Sequence, residues 1–345
     1  MDQNPTGLYR AQHDILFSGG EAWWPLDNSG LTKEVETVLG RVEGWCEEYA
    51  LKGPTKVAQL STSEKESIIR NLEGYWVQDL EWDKLMRSFP YPISLRVLQL
   101  LAQAMLTKDI MEKFFENPFW YFEGKADQQE KNQGGVCCAR HLQHLYQQFF
   151  KTNPIRASRW KAETIRLANS TEPNQAEDLE LGRYMKKHRD KAAASFAVSM
   201  LSCDPFRMLL EEVDSEKAIE RDGRLRELYK NADEVAFTLG WHHRHCEYRT
   251  LASVGSTFDY DSKLADAHPS HHVDLCRDEP RLTERRILGI IRPALVVHIT
   301  DPAVTKKEVL IKAEVLVEHG EWTKEDQDKL KQKFHERCKK ILAPA

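Results

Sequence analysis

The chain has 345 residues, 41% hydrophobic and 30% charged, enough apolar side chain for a sizeable core, and the length admits one large domain or two to three ordinary ones. A formal net charge of −5 excludes whole-molecule attraction to nucleic acid or anionic membrane, so any such attraction is local. No stretch approaches the roughly 20 uncharged apolar residues that span a bilayer, because the longest apolar run, Leu95 to Leu106, is interrupted by Arg96, Gln99 and Gln103.

The opening MDQNPTGLYRAQHD lacks the basic and apolar regions of a secretory signal. Seven cysteines without framework spacing fit reduced thiols, so a cytoplasmic or nuclear protein is expected. Residues 1–31, with the Trp23-Trp24 pair among glycines and prolines, read as an irregular arm. A first helical lobe is expected over 32–123. Val35, Val38, Leu39, Val42, Trp45 and Tyr49 recur at helical spacing from Thr32 to Leu51, and Gly53-Pro54 ends that helix. Ser63 and Glu66 have capping-box spacing and open a second helix along Ile68, Ile69, Leu72 and Trp76. Pro90 and Pro92 end the next amphipathic piece. Ile93 to Phe115 is apolar on most sides, which predicts a helix surrounded by other helices. Behind Pro118, the run Phe119-Trp120-Tyr121-Phe122 predicts a hydrophobic plug under a turn. Residues 124–135 are polar and glycine-flanked, a surface loop.

A second helical lobe is expected over 136–283. It opens with two amphipathic helices in 136–169, where Cys138, Leu142, Leu145, Tyr146, Phe149 and Phe150 share the packing sector and Cys137, His141, His144 and Gln148 flank it. Asn153 caps the second helix and Pro154 occupies its first position, giving up only a donor that had no partner. Leu179 to Ser202 reads as a long helix, Asp204-Pro205 repeats the cap-and-proline restart to open Phe206 to Val213, and helical spacing continues to Leu239. The ending changes character. Val- and Ile-rich segments at Arg286 to Thr300 and Glu308 to Glu318 predict a small β-hairpin element or small sheet over 284–320, with Pro293 at an edge or bulge. Thr323 then caps a basic amphipathic helix over 321–345. The expected fold is mainly α: a multi-helix, bundle-like array with a small C-terminal β-hairpin element and a terminal amphipathic helix.

Two groups of residues carry candidate chemistry. Many of the 13 histidines fall in three clusters: Cys137, His141 and His144 at i, i+4, i+7; His242, His245 and Cys246; and His268, His271, His272 and Cys276 in an irregular stretch. These donors suit Zn²⁺, although no named zinc signature is present. The second group is basic and aromatic. Between Arg140 and Arg166 the cations Arg140, Lys151, Arg156, Arg159, Lys161 and Arg166 meet one acid, Glu163, among Tyr146, Phe149, Phe150 and Trp160. Arg140, Arg156, Arg159, Trp160 and Lys161 are therefore the candidate contacts for an acidic protein surface or for RNA. No phosphate-cradling glycine loop or activated-nucleophile motif occurs.

NPFWYFEGK (117–125), LYQQFFKTNPIRASRWKAETIRLAN (145–169) and DEPRLTERRILGIIRPALVV (278–297) together resemble segments of largely helical proteins predicted from filamentous fungi. The resemblance implies a helical fold and brings neither activity nor site residues. The function expected from the residues is a non-catalytic intracellular binding or regulatory protein that acts through helical surfaces on a protein partner, without membrane insertion. The alternatives are a metal-binding protein or metal-dependent enzyme using the histidine clusters, and an RNA-binding protein.

Overall fold

The computed structural model describes residues 26–53, 60–90, 93–122, 138–173, 177–271, 282–301 and 304–319, together with Glu325, Asp328, Lys329, Lys331, Gln332 and Glu336. The Trp23-Trp24 arm, the 124–135 loop, Cys137, His272, Cys276 and most of the terminal helix lie outside the described residues; the six separate residues named are helical.

Helix α1, Asn28–Tyr49, starts earlier than the apolar spacing alone predicts, because the Asp27 carboxylate accepts the Gly30 N–H at 2.7 Å and caps the first turn. Helix α2, Thr62–Asn71, corrects the expected capping box: Ser61 and Glu64 form it, not Ser63 and Glu66. The Ser61 Oγ accepts Glu64 N–H at 3.3 Å and the Glu64 carboxylate accepts Ser61 N–H at 2.7 Å. Both serines have an acid three residues on, and the earlier pair leaves Ser63 inside the helix. Trp76 lies beyond α2 in a non-helical segment. After α3, Trp82–Arg87, comes α4, Ile93–Ile110, which continues as a π-helical turn over Met111–Phe115. As its composition predicts, α4 is buried nearly all round, and Gln99, Gln103 and Thr107 are buried with the apolar residues.

The central pair is α5, Cys138–Thr152, and α6, Pro154–Ala168, joined as expected: Asn153 Oδ1 accepts Arg156 N–H at 3.0 Å with Pro154 in the first turn. Helix α7, Glu180–Leu201, precedes a single turn, α8, Asp204–Arg207. Here Asp204 is not the cap. Its carboxylate pairs with Arg207 at 2.8 Å, and the helix stops well before Val213 because Leu51 N–H bonds to Leu209 O and Glu211 N–H to Tyr49 O. Helix α9, Ser215–Trp241, packs along α7 and α1. Between α7 and α9 a buried Arg189 lies 3.6 Å from Asp233, with the guanidinium over the Phe237 ring. Burial holds the Asp233 carboxyl up at about 6.

Strands also appear where helices were expected. β1, His245–Arg249, a short helix α10, Leu251–Val254, and β2, Ala265–Ala267, all fall within 136–283. β1 and β2 join β3, Ile287–Arg292, β4, Ala294–Asp301, β5, Val304–Ile311, and β6, Ala313–Val317, in two three-stranded sheets ordered β1-β4-β5 and β2-β6-β3. The predicted single hairpin is thus corrected. Only β4 and β5 form one, and Pro293, which has no N–H to give a ladder, divides the first Val/Ile-rich segment into two strands of different sheets. The second segment is also divided, at Lys312, into β5 and β6 of different sheets. Val77 N–H bonds to Leu288 O and Ile290 N–H to Tyr75 O, so residues 75–77 fasten β3 to the helical body.

One large apolar core takes residues from Leu31 to Val317. A smaller one gathers Phe119, Tyr121 and Phe122 with Tyr146, Ile165, Met185 and Trp241, which is the predicted aromatic plug. Among the described residues no helix is long and apolar enough to cross a membrane.

Two glycines give opposite expectations. A Cβ on Gly182 would stand 1.9 Å from the Ser170 carbonyl oxygen, whereas one on Gly223, inside α9, meets nothing within 4 Å. Gly182→Ala should therefore destabilise by about 3 kcal/mol through overpacking against backbone. Gly223→Ala should stabilise by about 0.5–1 kcal/mol through helix propensity. Urea unfolding followed by circular dichroism checks both, and equal effects of the two would contradict this packing.

Candidate functional site

Helices α5 and α6 divide the predicted basic and aromatic residues between two places. On the outside, α5 turns Tyr146 and Ala139 inward and leaves Leu145 and Phe149 at 43% and 42% exposure. The predicted packing sector is therefore only partly packed: Leu142 and Phe150 are half-buried against the smaller core, and the two apolar residues beside them face outward. Phe149 stands edge-on to Trp160 of α6, with ring centroids 5.3 Å apart. Arg140, Lys151 and Arg156 are exposed, and no ion pair joins any of them to an acid among the described residues; Arg156 lies one turn from Trp160 on α6, whereas Arg140 and Lys151 occupy another side of α5 from Leu145 and Phe149. Arg159 is half-buried, and both burial and the nearby Arg156 charge draw its pKa down. Not one acid occurs from Cys138 to Ala162.

Lys161 corrects the expected surface patch. It is 3% exposed, because it shares the inward arc of α6 with Ala157, Ser158 and Ile165. That arc was readable: three small or apolar residues one turn either side of Lys161 mark a buried face. Its Nζ donates to the backbone oxygens of Arg244, at 2.9 Å, and Leu239, at 3.5 Å. Burial pushes the ammonium down to about 8, with the Cys246 thiol pulling the other way. Arg166 is likewise buried, against Glu163 at 2.8 Å.

Lys161 lines a small cavity of about 40 Å³ together with Tyr146, His245, Cys246, Gln143, Glu116 and Tyr248, the rest of the wall being apolar. Tyr146 OH and His245 Nδ1 are 2.9 Å apart, linking α5 to β1. Burial first, then the Lys161 charge, takes His245 down to about 3, so its ring is neutral. Burial raises the Cys246 thiol while Lys161 lowers it, with a net rise, so sulfur stays protonated at neutral pH. The Tyr146–His245 contact has no signature in the sequence, since it joins residues 99 positions apart.

The remaining histidines serve separate places. His141 and His144 are exposed on α5. His242 Nε2 is 2.8 Å from Leu26 O, and burial takes this ring to about 3. His245 and Cys246 are neighbours on β1 and both border the small cavity beside Lys161. His268 Nδ1 accepts Ser270 N–H at 3.1 Å, and His271 Nε2 accepts Val317 N–H at 3.0 Å. Among the described residues no group of three or more His, Cys, Asp or Glu is placed to hold a metal ion. Comparison with protein-family models, curated proteins and solved structures finds no significant match to this chain.

The depressed Lys161 pKa makes a stability prediction with a definite sign. Near pH 7 the folded state holds a buried ammonium; between pH 8 and about 10.4, the ordinary lysine value, the folded state has lost a proton that the unfolded chain keeps. Stability attributable to this residue therefore rises across that window. The unfolding free energy of Lys161→Met minus that of the natural chain should fall by about 3 kcal/mol from pH 7.5 to 10.5. Urea titrations at both pH values measure it, and a constant difference would mean an ordinary, solvated lysine.

Proposed function

We propose that this is a non-catalytic binding or regulatory protein whose α5–α6 surface receives an acidic, amphipathic segment of a protein partner. The observation that carries the reading is the helix pair without an acid before Glu163, on which Leu145 and Phe149 stand out of the fold beside Trp160, one helical turn from the exposed Arg156. Apolar side chains bordered by like charge attract a ligand with the reverse pattern. Apolar contact supplies affinity, and the surrounding cations supply steering and register. The partner that fits is a helix with Leu or Phe on one face and Glu or Asp on its flanks. An RNA single strand would use the same cations and stack on Phe149 and Trp160, but Leu145 offers a base nothing comparable.

Fluorescence anisotropy with a labelled acidic amphipathic peptide, a charge-reversed peptide and oligouridylate tests this choice. The acidic peptide should bind and the charge-reversed one should not, with affinity falling as salt rises. Phe149→Ala and Arg156→Glu should each weaken binding about tenfold or more, roughly 1.4 kcal/mol. Binding of oligouridylate alone would replace the protein partner with RNA, and binding of none of the three would remove the surface from consideration.

A further inference from the structure

The cavity under α6 is independent of the outer surface and has a chemistry of its own. Its buried cation, Lys161, meets two backbone oxygens and no carboxylate among the described residues. An ammonium has three protons to place and an amine has two plus a lone pair. With two directions taken by Arg244 O and Leu239 O, the third is left for the cavity that Lys161 lines. Glu116 is exposed and Gln143 half-buried, so the mouth lies on their side while Lys161 forms the floor. Gln143 Oε1 is buried without a hydrogen-bond partner among the described residues. The space of about 40 Å³ matches roughly three water-sized volumes, and so a molecule of about three non-hydrogen atoms.

We propose that this cavity admits a small aliphatic aldehyde and that Lys161 captures it as an imine. The Nζ lone pair attacks the carbonyl carbon, forming a C–N bond while the C=O π pair moves to oxygen. The proton that nitrogen sheds reaches that oxygen through the Tyr146 hydroxyl, which lines the same cavity and is held by His245 Nδ1 at 2.9 Å. The resulting carbinolamine loses its C–O bond, water departs, and the nitrogen gives up its second proton as C=N forms, so amine plus aldehyde equals imine plus water. No oxidant or metal enters the balance. An apolar wall of Phe114, Phe115, Ala236 and Leu239 excludes bulk water from the product. Cys246 stands nearby as a thiol, the less reactive form, which leaves the amine as the nucleophile.

The test uses the full chain at pH 8 with acetaldehyde and cyanoborohydride, which turns an imine into a stable ethyl-lysine, followed by peptide mass mapping. With its pKa at about 8, Lys161 is half amine at that pH while an exposed lysine is almost wholly ammonium, so early ethylation of Lys161 should exceed that of Lys151 about tenfold or more. The preference should vanish in urea, shrink with benzaldehyde, which exceeds the cavity, and survive Cys246→Ala. Tyr146→Phe should slow capture at Lys161 while leaving Lys151 unchanged. Labelling of Lys161 no faster than Lys151 in the folded chain, or a preference unaffected by urea or by aldehyde size, would overturn the proposal. Because the natural chain is mapped directly, failure of a variant to fold does not blur the result.

Discussion

A helix with apolar side chains around its whole circumference has to be wrapped, and α4 imposes that requirement on everything else. Its residues from Ile93 to Ile110 meet α1 on one side, α3 and α8 on others, and β3 on a further side. Burying each large aliphatic side chain there contributes about 1.5–3 kcal/mol, so nearly the whole helix beyond its first turn is covered, Leu95 in that turn being the exposed exception. Burial extends to Gln99 and Gln103, the two amides that interrupt the apolar run in the sequence. They are carried inside by their position on a wrapped helix, at a desolvation cost the surrounding apolar contacts must exceed.

Much of this was legible in the residues. The α4 composition, the Asn153-Pro154 restart and the Phe119–Phe122 plug each combine a local signal with a tertiary outcome that has few alternatives. The strands β1 and β2 were not legible, since His245 to Arg249 has neither an alternating apolar pattern nor Val and Ile, and its pairing is supplied by β4, about 50 residues away in sequence. The capping frame at Ser61 was ambiguous for a narrower reason: two overlapping Ser-x-x-Glu registers, Ser61 with Glu64 and Ser63 with Glu66, are both present in the sequence, and the helix takes the earlier one. Among the described histidines, His242, His245, His268 and His271 each meet a separate backbone or phenol group, a separation that their clustering along the sequence does not reveal.

The basic run illustrates how one helix can hold two kinds of cation. Arg156 and Lys161 lie five residues apart on α6, yet the first is exposed and the second is shut in beneath Leu239 and Arg244 carbonyls. Water screens the first and leaves its charge available for long-range attraction. The second has lost that screening, and its pKa falls accordingly. A count of cations along the chain treats the two as equals, whereas the dielectric around each gives one an electrostatic character and the other a nucleophilic one.

The breaks at Pro293 and Lys312 have a mechanical meaning. Each interrupts a β segment for a single residue before the chain enters the other sheet, so β4-β5 and β3-β6 are two panels of one creased double ribbon. Tension applied to β5 is passed by covalent bonds across the crease into β6, then through the β3 ladder to Gly289, where the Trp76 indole bears on the backbone so closely that even a methyl group would not fit. The ribbon is in this sense a lever whose short arm is wedged into the helical body.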